Sequence, residues 1–515
     1  MQKSRYPTLA TREDKETQIH FYLLRNHLKD YDLMTITKAL LPLAFFALYA
    51  ELQGQQTLYV NNIDPRQDMQ GEIIDAHDGR VIRFGDVFYW YGTRYGNTNG
   101  FTTANRYVCY SSRDMQHWKK EGPLLQDQPP GVYYRPHVVY NEKTKKYVLW
   151  YNWYPKLWDG QFAVATSDTP TGPFIIQNAN VRMAYSDKGL GDLGLFVDHD
   201  GTAYVSYNTI HNHEVSIEKL DEHYTSSTLQ NGGVIAQHME AGAMFRRNGK
   251  YYLLTDYTCC FCNYGSGARV YISNEPLRGY QYTGNINRHP GKLSPALTDG
   301  ITVGNVYAEL QKQEDQWQGI QIELPGKETI DRVEVSLFTG NRPENCGDVS
   351  NPRVHPPINT PRFELKARVN NTWKSLPVID LLTRKKALKE DLVLNIGPIL
   401  TDKIVLLPRI PDHDNLYVYE VGLKKRNKSV SGTAKAYLIG QSIPQRPIIP
   451  AQQTYVLELP SSHGPEFIWM GDLWGSASDN VKGHDYQYWS APLEFDENGH
   501  IRTMEWKSTW TLEIK

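Results

Sequence analysis

The dominant pattern along the chain is a polar or glycine-containing turn followed by an alternating strand rich in aromatic residues. It occurs five times, as RFGDVFYWYGT from Arg83, NEKTKKYVLWYN from Asn141, DHDGTAYVSYN from Asp198, RRNGKYYLLTD from Arg246 and SSHGPEFIWMGD from Ser461. Each unit predicts a hairpin. The matching aromatic residues lie 58, 57, 47 and 216 positions apart. A spacing near 50 residues suits one four-stranded sheet, so we predict an all-β, five-bladed β-propeller.

A second pattern occupies the long interval between the fourth and fifth units. Short alternating strands are separated there by turn residues, as in WQGIQIELPGKETIDRVEVSLFTG, PRFELKARVNNTWKSLP and NLYVYEVGLK. This pattern is typical of a β-sandwich. We therefore expect blades 1 to 4 at residues 55–290, an inserted sandwich or jelly-roll domain at 291–426, and the last blade with its closure at 427–515.

The first 54 residues predict an N-terminal extension and a signal peptide. A single lysine precedes an unbroken apolar run from Ala39 to Ala50, and small and polar residues follow it. Twelve apolar residues are too few to span a bilayer. The residues before Met34 are polar and charged, so Met34 is the expected start, although a buried helix of the folded domain is the alternative. We expect a soluble protein that is secreted or periplasmic.

Composition excludes several classes of function. The formal net charge of −2 is spread over interspersed charges of both signs, which gives no basic surface for nucleic acid and no polybasic patch for a membrane. The 12 % of aromatic residues suits flat, uncharged ligands such as sugars as well as ordinary sheet packing. Cys259, Cys260 and Cys262 lack a fourth ligand and the spacing of a zinc site, so a local disulfide or free thiols are expected.

Aligning the repeats on their hairpins brings four positions into correspondence. Counting back eleven to thirteen residues from each key aromatic residue gives Asp78, Tyr134, Asp192 and Glu240. Equivalent positions of propeller blades lie at one height around the axis, so these side chains should converge. Three converging carboxylates suit glycoside hydrolysis, which needs an acid and a base of different pKa. The alternative is that each acid caps a strand or pairs with an arginine.

At these residues the sequence resembles glycoside hydrolase family 43. HDGRVIRFGDVFYWYGT, DLGLFVDHDGTAYVSY and MEAGAMFRRNGKYYLL are similar to the family's segments for the base, for the residue that tunes the acid, and for the acid. The resemblance implies a five-bladed propeller that inverts the anomeric centre. Asp78 is then the general base and Glu240 the general acid, and Asp192 raises the pKa of Glu240 by its like charge.

Within that family the chain looks most like the subfamilies that contain exo-β-1,3-galactanases. The segments IDAHDG, TYVLEL and MGDLW carry this likeness. Those galactanases typically have glycine at the position of Asp78 and glutamate at that of Tyr134, and are thought to use a glutamine as base, here Gln452. The resemblance implies an exo-acting enzyme on galactose- or arabinose-containing side chains, β-1,3-galactan or arabinogalactan first. Expected sugar contacts are His77, Tyr134, Arg135, His137, Gln452 and Trp474.

Residues 291–426 resemble the discoidin, or galactose-binding-like, family, whose members bind sugars or brace a neighbouring domain. Three other functions stay open: an α-L-arabinofuranosidase or β-xylosidase of family 43, a non-catalytic sugar-binding propeller, and a retaining relative of levansucrase or invertase. The resemblance implies no required cofactor and leaves room for a structural calcium ion. The expected partner is an oligo- or polysaccharide, and the expected state is a monomer.

Overall fold

The computed structural model describes residues 56–257, 261, 268–287, 297, 298, 300, 302, 308–313, 316–338, 363–386, 389–409, 415–440 and 447–515. The proposed start at Met34, the apolar run after it, and Cys259, Cys260 and Cys262 lie outside these residues. The described residues fall into two units, one that contains residues 56, 57 and 513–515 and one that lies within residues 58–512. In the first unit, Thr57 Oγ1 donates a hydrogen bond to Glu513 Oε1 at 2.6 Å.

Four sheets, each of four antiparallel strands in sequence order, follow one another in the second unit. After β1 (Gln56–Asn61), blade 1 comprises β2 (His77–Phe84), β3 (Val87–Arg94), β4 (Arg106–Ser112) and β5 (Lys119–Pro123). Blade 2 comprises β6 (Val132–Asn141), β7 (Lys146–Tyr154), β8 (Gln161–Ser167) and β9 (Ile175–Asn178). Blade 3 comprises β10 (Leu190–Val197), β11 (Ala203–Thr209), β12 (Val215–Leu220) and β13 (Ser227–Asn231). Blade 4 comprises β14 (Met239–Arg247), β15 (Lys250–Tyr257), β16 (Arg269–Ser273) and β17 (Gln281–Asn285).

The fifth blade combines the C-terminal strands with the first strand of the chain. Its order is β1, β31, β28, β29, β30. The C-terminal members are β28 (Gln452–Ser461), β29 (Gly464–Leu473), β30 (Tyr486–Trp489) and β31 (Thr509–Ile514). The first strands of the blades, β2, β6, β10, β14 and β28, contact one another in a closed ring. The predicted all-β, five-bladed propeller is therefore confirmed. Short 3₁₀ helices occur at Ser186–Lys188 and Lys482–His484.

The hairpins form where the sequence pattern places them, and their aromatic residues pack between blades. Asn248 and Gly249 both have positive φ, 49° and 78°, which is the backbone of a type I′ turn and explains the Asn-Gly pair. Behind this turn Phe245 of blade 4 packs on Phe467 of blade 5, with ring centroids 4.4 Å apart. Alternation along each strand thus buries one aromatic layer in every interface between blades.

Every first strand carries a β-bulge near its beginning. The register shifts between His77 and Arg80 in blade 1, Tyr134 and His137 in blade 2, Leu190 and Leu193 in blade 3, Glu240 and Ala243 in blade 4, and Gln453 and Tyr455 in blade 5. A bulge bends a strand and redirects the side chains at the extra residue. Because all five bulges lie at one end of the ring of first strands, the redirected side chains meet there.

The inserted strands form a ten-stranded sheet separate from the blades. They are β18 (Ala308–Gln313), β19 (Gln316–Trp317), β20 (Gly319–Phe338), β21 (Phe363–Val369), β22 (Thr372–Leu376), β23 (Val378–Lys386), β24 (Lys389–Pro408), β25 (Asn415–Lys425), β26 (Lys428–Ser429) and β27 (Lys435–Ile439). The two halves of β20 pair with β27 and β25, and the two halves of β24 pair with β23 and β21. Strands β20 and β24 also pair with each other, and one hydrophobic core contains residues from both halves. Strand β27 belongs to this sheet, which therefore extends past residue 426 to Ile439.

Candidate active site

A pocket of about 270 Å³ lies at the bulged end of the first strands. The first strand of each blade contributes one charged or amide side chain to its wall: Asp78 from β2, Arg135 from β6, Asp192 from β10, Glu240 from β14 and Gln452 from β28. The remaining wall is largely aromatic. The structure thus brings together side chains that are up to 396 positions apart in sequence, from Asp78 to Trp474.

The three carboxylates do not share one repeat position, which corrects the alignment of the sequence analysis. Asp78 is the first unpaired residue of its bulge, Asp192 is the second, and Glu240 is the last paired residue before its bulge, opposite Asp256. Tyr134 corresponds to Glu240, since it is also paired before the bulge. The carboxylates converge because the bulges turn these neighbouring positions toward the same pocket.

Asp78 is held at the pocket by a tight set of contacts. Tyr95 donates its hydroxyl hydrogen to Asp78 Oδ2 at 2.6 Å. Burial raises the pKa of Asp78 to about 7, against the opposing effects of the Arg135 guanidinium and the Tyr95 hydroxyl. The backbone of Asp78 has φ +51°, in the left-handed region that costs a non-glycine residue about 1 kcal/mol. The carboxyl can therefore exchange a proton near neutral pH.

Below Asp78 lies a fully buried histidine with two acidic neighbours. Asp472 accepts the Asp78 backbone N–H through Oδ2 at 2.7 Å, and its Oδ1 lies 3.1 Å from His77 Nδ1. His77 Nε2 lies 3.8 Å from Asp75 Oδ1. Burial alone would lower the pKa of His77, but the surrounding carboxylates, Asp472 first, raise it to about 9. His77 is thus an imidazolium at neutral pH.

Arg135 lines the pocket and contacts two other blades. Its Nη2 donates to Asp192 Oδ2 at 2.8 Å, and its Nη1 donates to the backbone carbonyl oxygen of Gln453 at 2.9 Å. Nearby Asp192 and Asp78 raise the pKa of Arg135 above its ordinary value, against the effect of burial. The sequence predicts that the negative charge of Asp192 acts on Glu240. In the structure, the same carboxylate is paired with the Arg135 guanidinium.

Glu240 lies beside a histidine and a tyrosine that come from other blades. His213 Nδ1, in the turn between β11 and β12, is 3.4 Å from Glu240 Oε1. Burial lowers the pKa of His213, with Asp192 opposing that shift, so the imidazole is neutral near pH 7. The pKa of Tyr154 is raised by burial and then by Asp192 and Glu240, which places both carboxylates near its hydroxyl. Glu240 thus has uncharged polar neighbours.

An aromatic rim surrounds these polar groups. Trp474 donates its indole N–H to Gln452 Oε1 at 2.7 Å, which fixes the amide of the alternative base candidate. Tyr134 donates its hydroxyl to the carbonyl oxygen of Gly100 at 3.0 Å. Trp158 is 51 % exposed and packs against Phe101 with ring centroids 5.6 Å apart. An exposed indole at a pocket wall offers a flat surface to a sugar ring.

Two of the expected sugar contacts are not at the pocket. His77 and His137 are both fully buried and do not line it. His137 accepts the Leu195 backbone N–H at Nδ1, at 3.4 Å, and packs edge-on against Tyr455. The prediction that His77 and His137 contact the substrate is therefore wrong. The bulges direct the side chains of neighbouring residues to the pocket instead.

Sequence reasoning missed several residues of the site. Tyr95, Asp472, His213 and Trp158 were not assigned a role. Asp472 lies in MGDLW, a segment used for the family resemblance, so its place in the fifth repeat was the available signal. Tyr95, His213 and Trp158 lie outside the β-strands, where the repeat pattern gives no alignment. Loops between strands carry much of a site, and their placement is set by tertiary contacts.

His137 is fully buried beside two guanidinium groups. Burial lowers the pKa of His137, and the nearby Arg80 and Arg135 guanidinium groups lower it further. A calcium ion at this histidine would add charge beside two cations, and calcium prefers carboxylate and carbonyl oxygens. Within the described parts of the chain, no group of three or more His, Cys, Asp or Glu side chains is arranged to hold a metal ion. No helix in those parts is long and apolar enough to cross a membrane.

Residues 74–294 match the model of Glycosyl hydrolases family 43. No curated protein matches the sequence. A solved GH43 β-1,3-galactosidase is 18 % identical at a TM-score of 0.49, with 88 % of this chain and 64 % of that chain covered. An exo-β-1,3-galactanase from Clostridium thermocellum is 17 % identical at 0.49, with 88 % and 66 % covered. This chain therefore spans less than two thirds of the length of either.

A third solved structure is an exo-β-1,3-galactanase from Phanerochaete chrysosporium with β-1,3-galactotriose. It is 15 % identical at a TM-score of 0.42, and the alignment covers 68 % of this chain and 100 % of that one. The family 43 match includes blades 1 to 4 and with them Asp78, Asp192 and Glu240.

Proposed function

We propose that this chain, an inverting glycoside hydrolase whose family 43 match covers residues 74–294, releases single sugars from the ends of galactose- or arabinose-containing side chains, with β-1,3-galactan and arabinogalactan as the first candidates. The observation that carries the proposal is the meeting of Asp78 and Glu240 on the wall of one pocket. The galactan preference is supported by the sequence resemblance to exo-β-1,3-galactanase subfamilies.

In the proposed mechanism Asp78 is the general base. Its pKa of about 7 lets it take a proton from water at neutral pH, as the oxygen of that water attacks the anomeric carbon. Tyr95 fixes one carboxyl oxygen by its hydrogen bond, at 2.6 Å. The positive charge of Arg135 favours the ionised form of Asp78 and so opposes the rise in its pKa that burial causes.

Glu240 is the proposed general acid and protonates the leaving oxygen from the opposite face of the sugar. His213 Nδ1 lies 3.4 Å from Glu240 Oε1. Because burial lowers the pKa of His213, its imidazole is neutral and does not compensate a negative charge on Glu240. Asp192 holds Arg135 in place and adds negative charge on the side of Tyr154, near Glu240. The two carboxyl groups thus have different surroundings, which single displacement requires.

The size of the pocket supports action at chain ends. A volume of about 270 Å³ lies just below the roughly 300–1,000 Å³ of common small-molecule sites, so the pocket suits a short saccharide segment. Phe101, Leu157 and Trp158 line the same space as the two carboxyl groups. In the proposed mode of action the pocket holds a terminal sugar and presents its bond to the next sugar to the carboxyls.

The proposal is tested by product analysis on oligosaccharides of β-1,3-galactan, arabinan and xylan, together with a panel of nitrophenyl glycosides. Release of galactose from the non-reducing end, with inverted configuration in the first NMR spectra, is the expected result. Arabinose or xylose as the main product would replace the galactan preference by an arabinofuranosidase or xylosidase. Binding of oligosaccharides without any hydrolysis would overturn the proposal in favour of a sugar-binding propeller.

A further inference from the structure

We infer that Asp472 and His77 are positioning residues for the hydrolysis: together they hold the backbone of Asp78 in the conformation that aims its carboxylate into the pocket. The inference rests on the proposed function, since it assigns the base role to Asp78. Neither residue lines the pocket, so neither contacts the substrate in this arrangement.

The backbone of Asp78 has an uncommon conformation. Its φ of +51° lies in the left-handed region, which few non-glycine residues adopt. A charged hydrogen bond holds the backbone there: Asp472 Oδ2 accepts the Asp78 N–H at 2.7 Å. A carboxylate acceptor makes such a bond about twice as strong as a neutral one. Blade 5 thus fixes the bulge of blade 1.

The acceptor carboxyl, Asp472, has a charged neighbour. Asp472 is buried in the protein interior, where an unpaired carboxylate would be unfavourable. His77 Nδ1 lies 3.1 Å from Asp472 Oδ1 and is also fully buried. Carboxylates around His77 raise its pKa to about 9, so it carries a positive charge at neutral pH. His77 therefore provides the partner that Asp472 needs in order to accept the Asp78 N–H inside the protein.

The same cluster also holds the carboxyl of Asp78. Asp75, whose Oδ1 lies 3.8 Å from His77 Nε2, accepts the backbone N–H of Tyr95 at 2.8 Å and of Gly96 at 2.7 Å. The Tyr95 hydroxyl then donates to Asp78 Oδ2 at 2.6 Å. A closed chain of contacts therefore runs from the Asp78 amide through Asp472, His77, Asp75 and Tyr95 to the Asp78 carboxylate.

The charged and titratable groups around this chain determine how it responds to pH. Asp78 faces Arg135 of β6 and Asp472 of β29, besides Tyr95. His77 faces Asp472, Asp75 and Asp485. Removing the negative charge at position 472 should lower the pKa of Asp78, because the like charge of Asp472 raises it. Removing the positive charge of His77 should raise the pKa of Asp78.

The test compares Asp472→Asn and His77→Gln, first in the free protein. The Asp78 carboxyl is followed by carbon NMR of protein labelled at the aspartate side chains, its signal being the one that Asp78→Asn removes. We expect the Asp78 titration to move to lower pH in Asp472→Asn and to higher pH in His77→Gln, each by on the order of half a pH unit or more. A titration that does not move, or moves the same way in both, overturns the inference.

Activity supplies the second readout. On a nitrophenyl glycoside that the wild type hydrolyses, kcat should fall by about tenfold or more in both variants, because the Asp78 carboxylate is no longer held in its position. KM should change little, because the residues that line the pocket are unchanged. The acidic limb of kcat/KM should move with the NMR titration. A loss of kcat with an unmoved limb would indicate a structural role only, and would contradict the inference.

Asp198→Asn is the matched control. Asp198 is a buried aspartate in the β10–β11 turn, bonded to Arg246 Nη1 at 2.8 Å and to the Tyr251 hydroxyl at 2.6 Å, away from the pocket. It should lose stability and leave both the Asp78 titration and the acidic limb unchanged. If the wild type hydrolyses none of the glycosides, the proposed function fails, while the NMR titrations still decide whether Asp472 and His77 control Asp78.

Discussion

Arg135 donates from Nη2 to Asp192 Oδ2 at 2.8 Å, and this ion pair joins blade 2 to blade 3 at the pocket wall. Both side chains are largely shielded from solvent, so the pair is weakly screened by salt. The same guanidinium bonds to the backbone of blade 5 at Gln453 and lowers the pKa of Asp78 in blade 1. Arg135 therefore connects Asp78, the proposed base, with blades 2, 3 and 5.

Replacing Arg135 by leucine should impair both stability and catalysis. Removing one partner of a buried pair costs about 3–5 kcal/mol, because the other charge is left uncompensated. Loss of the cation should also raise the pKa of Asp78, so the acidic limb of kcat/KM should move to higher pH. Urea unfolding and a pH–rate profile measure the two effects.

Arg135→Lys is the control for that prediction. It keeps the charge but loses the fork that reaches Asp192 and Gln453 together, so kcat should fall while the acidic limb stays close to that of the wild type. A leucine variant with wild-type stability and an unmoved limb would show that the ion pair matters for neither property.

Asp78→Asn and Glu240→Gln should be separable by the leaving group of the substrate. Glu240→Gln should lose most activity on oligosaccharides and much less on activated aryl glycosides, because a good leaving group needs little protonation. Asp78→Asn should be severe on both, since water must be activated whichever group departs. Measurement of kcat on the two substrate types for each variant checks this.

Gln452→Ala decides between the two base candidates. Gln452 Oε1 accepts the Trp474 indole N–H at 2.7 Å, so the substitution removes one contact of the aromatic rim and leaves Asp78 in place. With Asp78 as base, the variant should keep kcat within about tenfold of the wild type. Near-normal turnover in Asp78→Asn together with a collapse in Gln452→Ala would reverse the assignment.

Stability should fall as the pH rises through the range in which His77 loses its proton. Its pKa is about 9 in the folded protein, against about 6.5 in an unfolded chain. A raised histidine pKa stabilises the fold fully below the unfolded value, and this contribution is lost between about pH 6.5 and 9. The difference corresponds to about 3 kcal/mol.

Urea unfolding at pH 6 and at pH 9.5 measures this loss. The raised pKa of Asp78, about 7, also works against the fold as pH rises, but only between about pH 4 and 7, where that carboxyl ionises. Any further decrease above pH 7 should therefore be much smaller in His77→Gln than in the wild type. Equal decreases in both proteins would contradict the role of His77 as a buried cation.

Trp158→Ala should weaken the binding of oligosaccharides more than that of small aryl glycosides. The indole is 51 % exposed at the pocket wall, so its removal costs little folding energy but takes away a stacking surface for a sugar beyond the terminal one. We expect KM for a trisaccharide to rise about tenfold or more, with kcat on nitrophenyl glycosides nearly unchanged.

Ile175→Ala gives the comparison, because Ile175 is an exposed apolar residue on β9 of the same blade and does not line the pocket. It should leave both kinetic constants unchanged. An equal effect of the two substitutions on KM would remove Trp158 from the substrate site.

The sequence by itself determined the propeller architecture, and it predicted three acids that the structure places on the wall of one pocket. Strand periodicity is a local property, and a turn such as Asn248-Gly249 specifies its hairpin from adjacent residues alone. Repetition of that unit at regular spacing leaves few arrangements besides a propeller, and the repeats also single out Asp78, Asp192 and Glu240.

Only the tertiary structure decided which side chains meet at the pocket and which stay beneath it. The bulges shift the three acids to different positions of the repeat, bring Arg135 to the pocket and keep His77 and His137 buried. The contacts of Asp472 with Asp78 and of His213 with Glu240 join different blades. Such contacts depend on how the blades close around the axis, and the local periodicity of a strand contains no information about that closure.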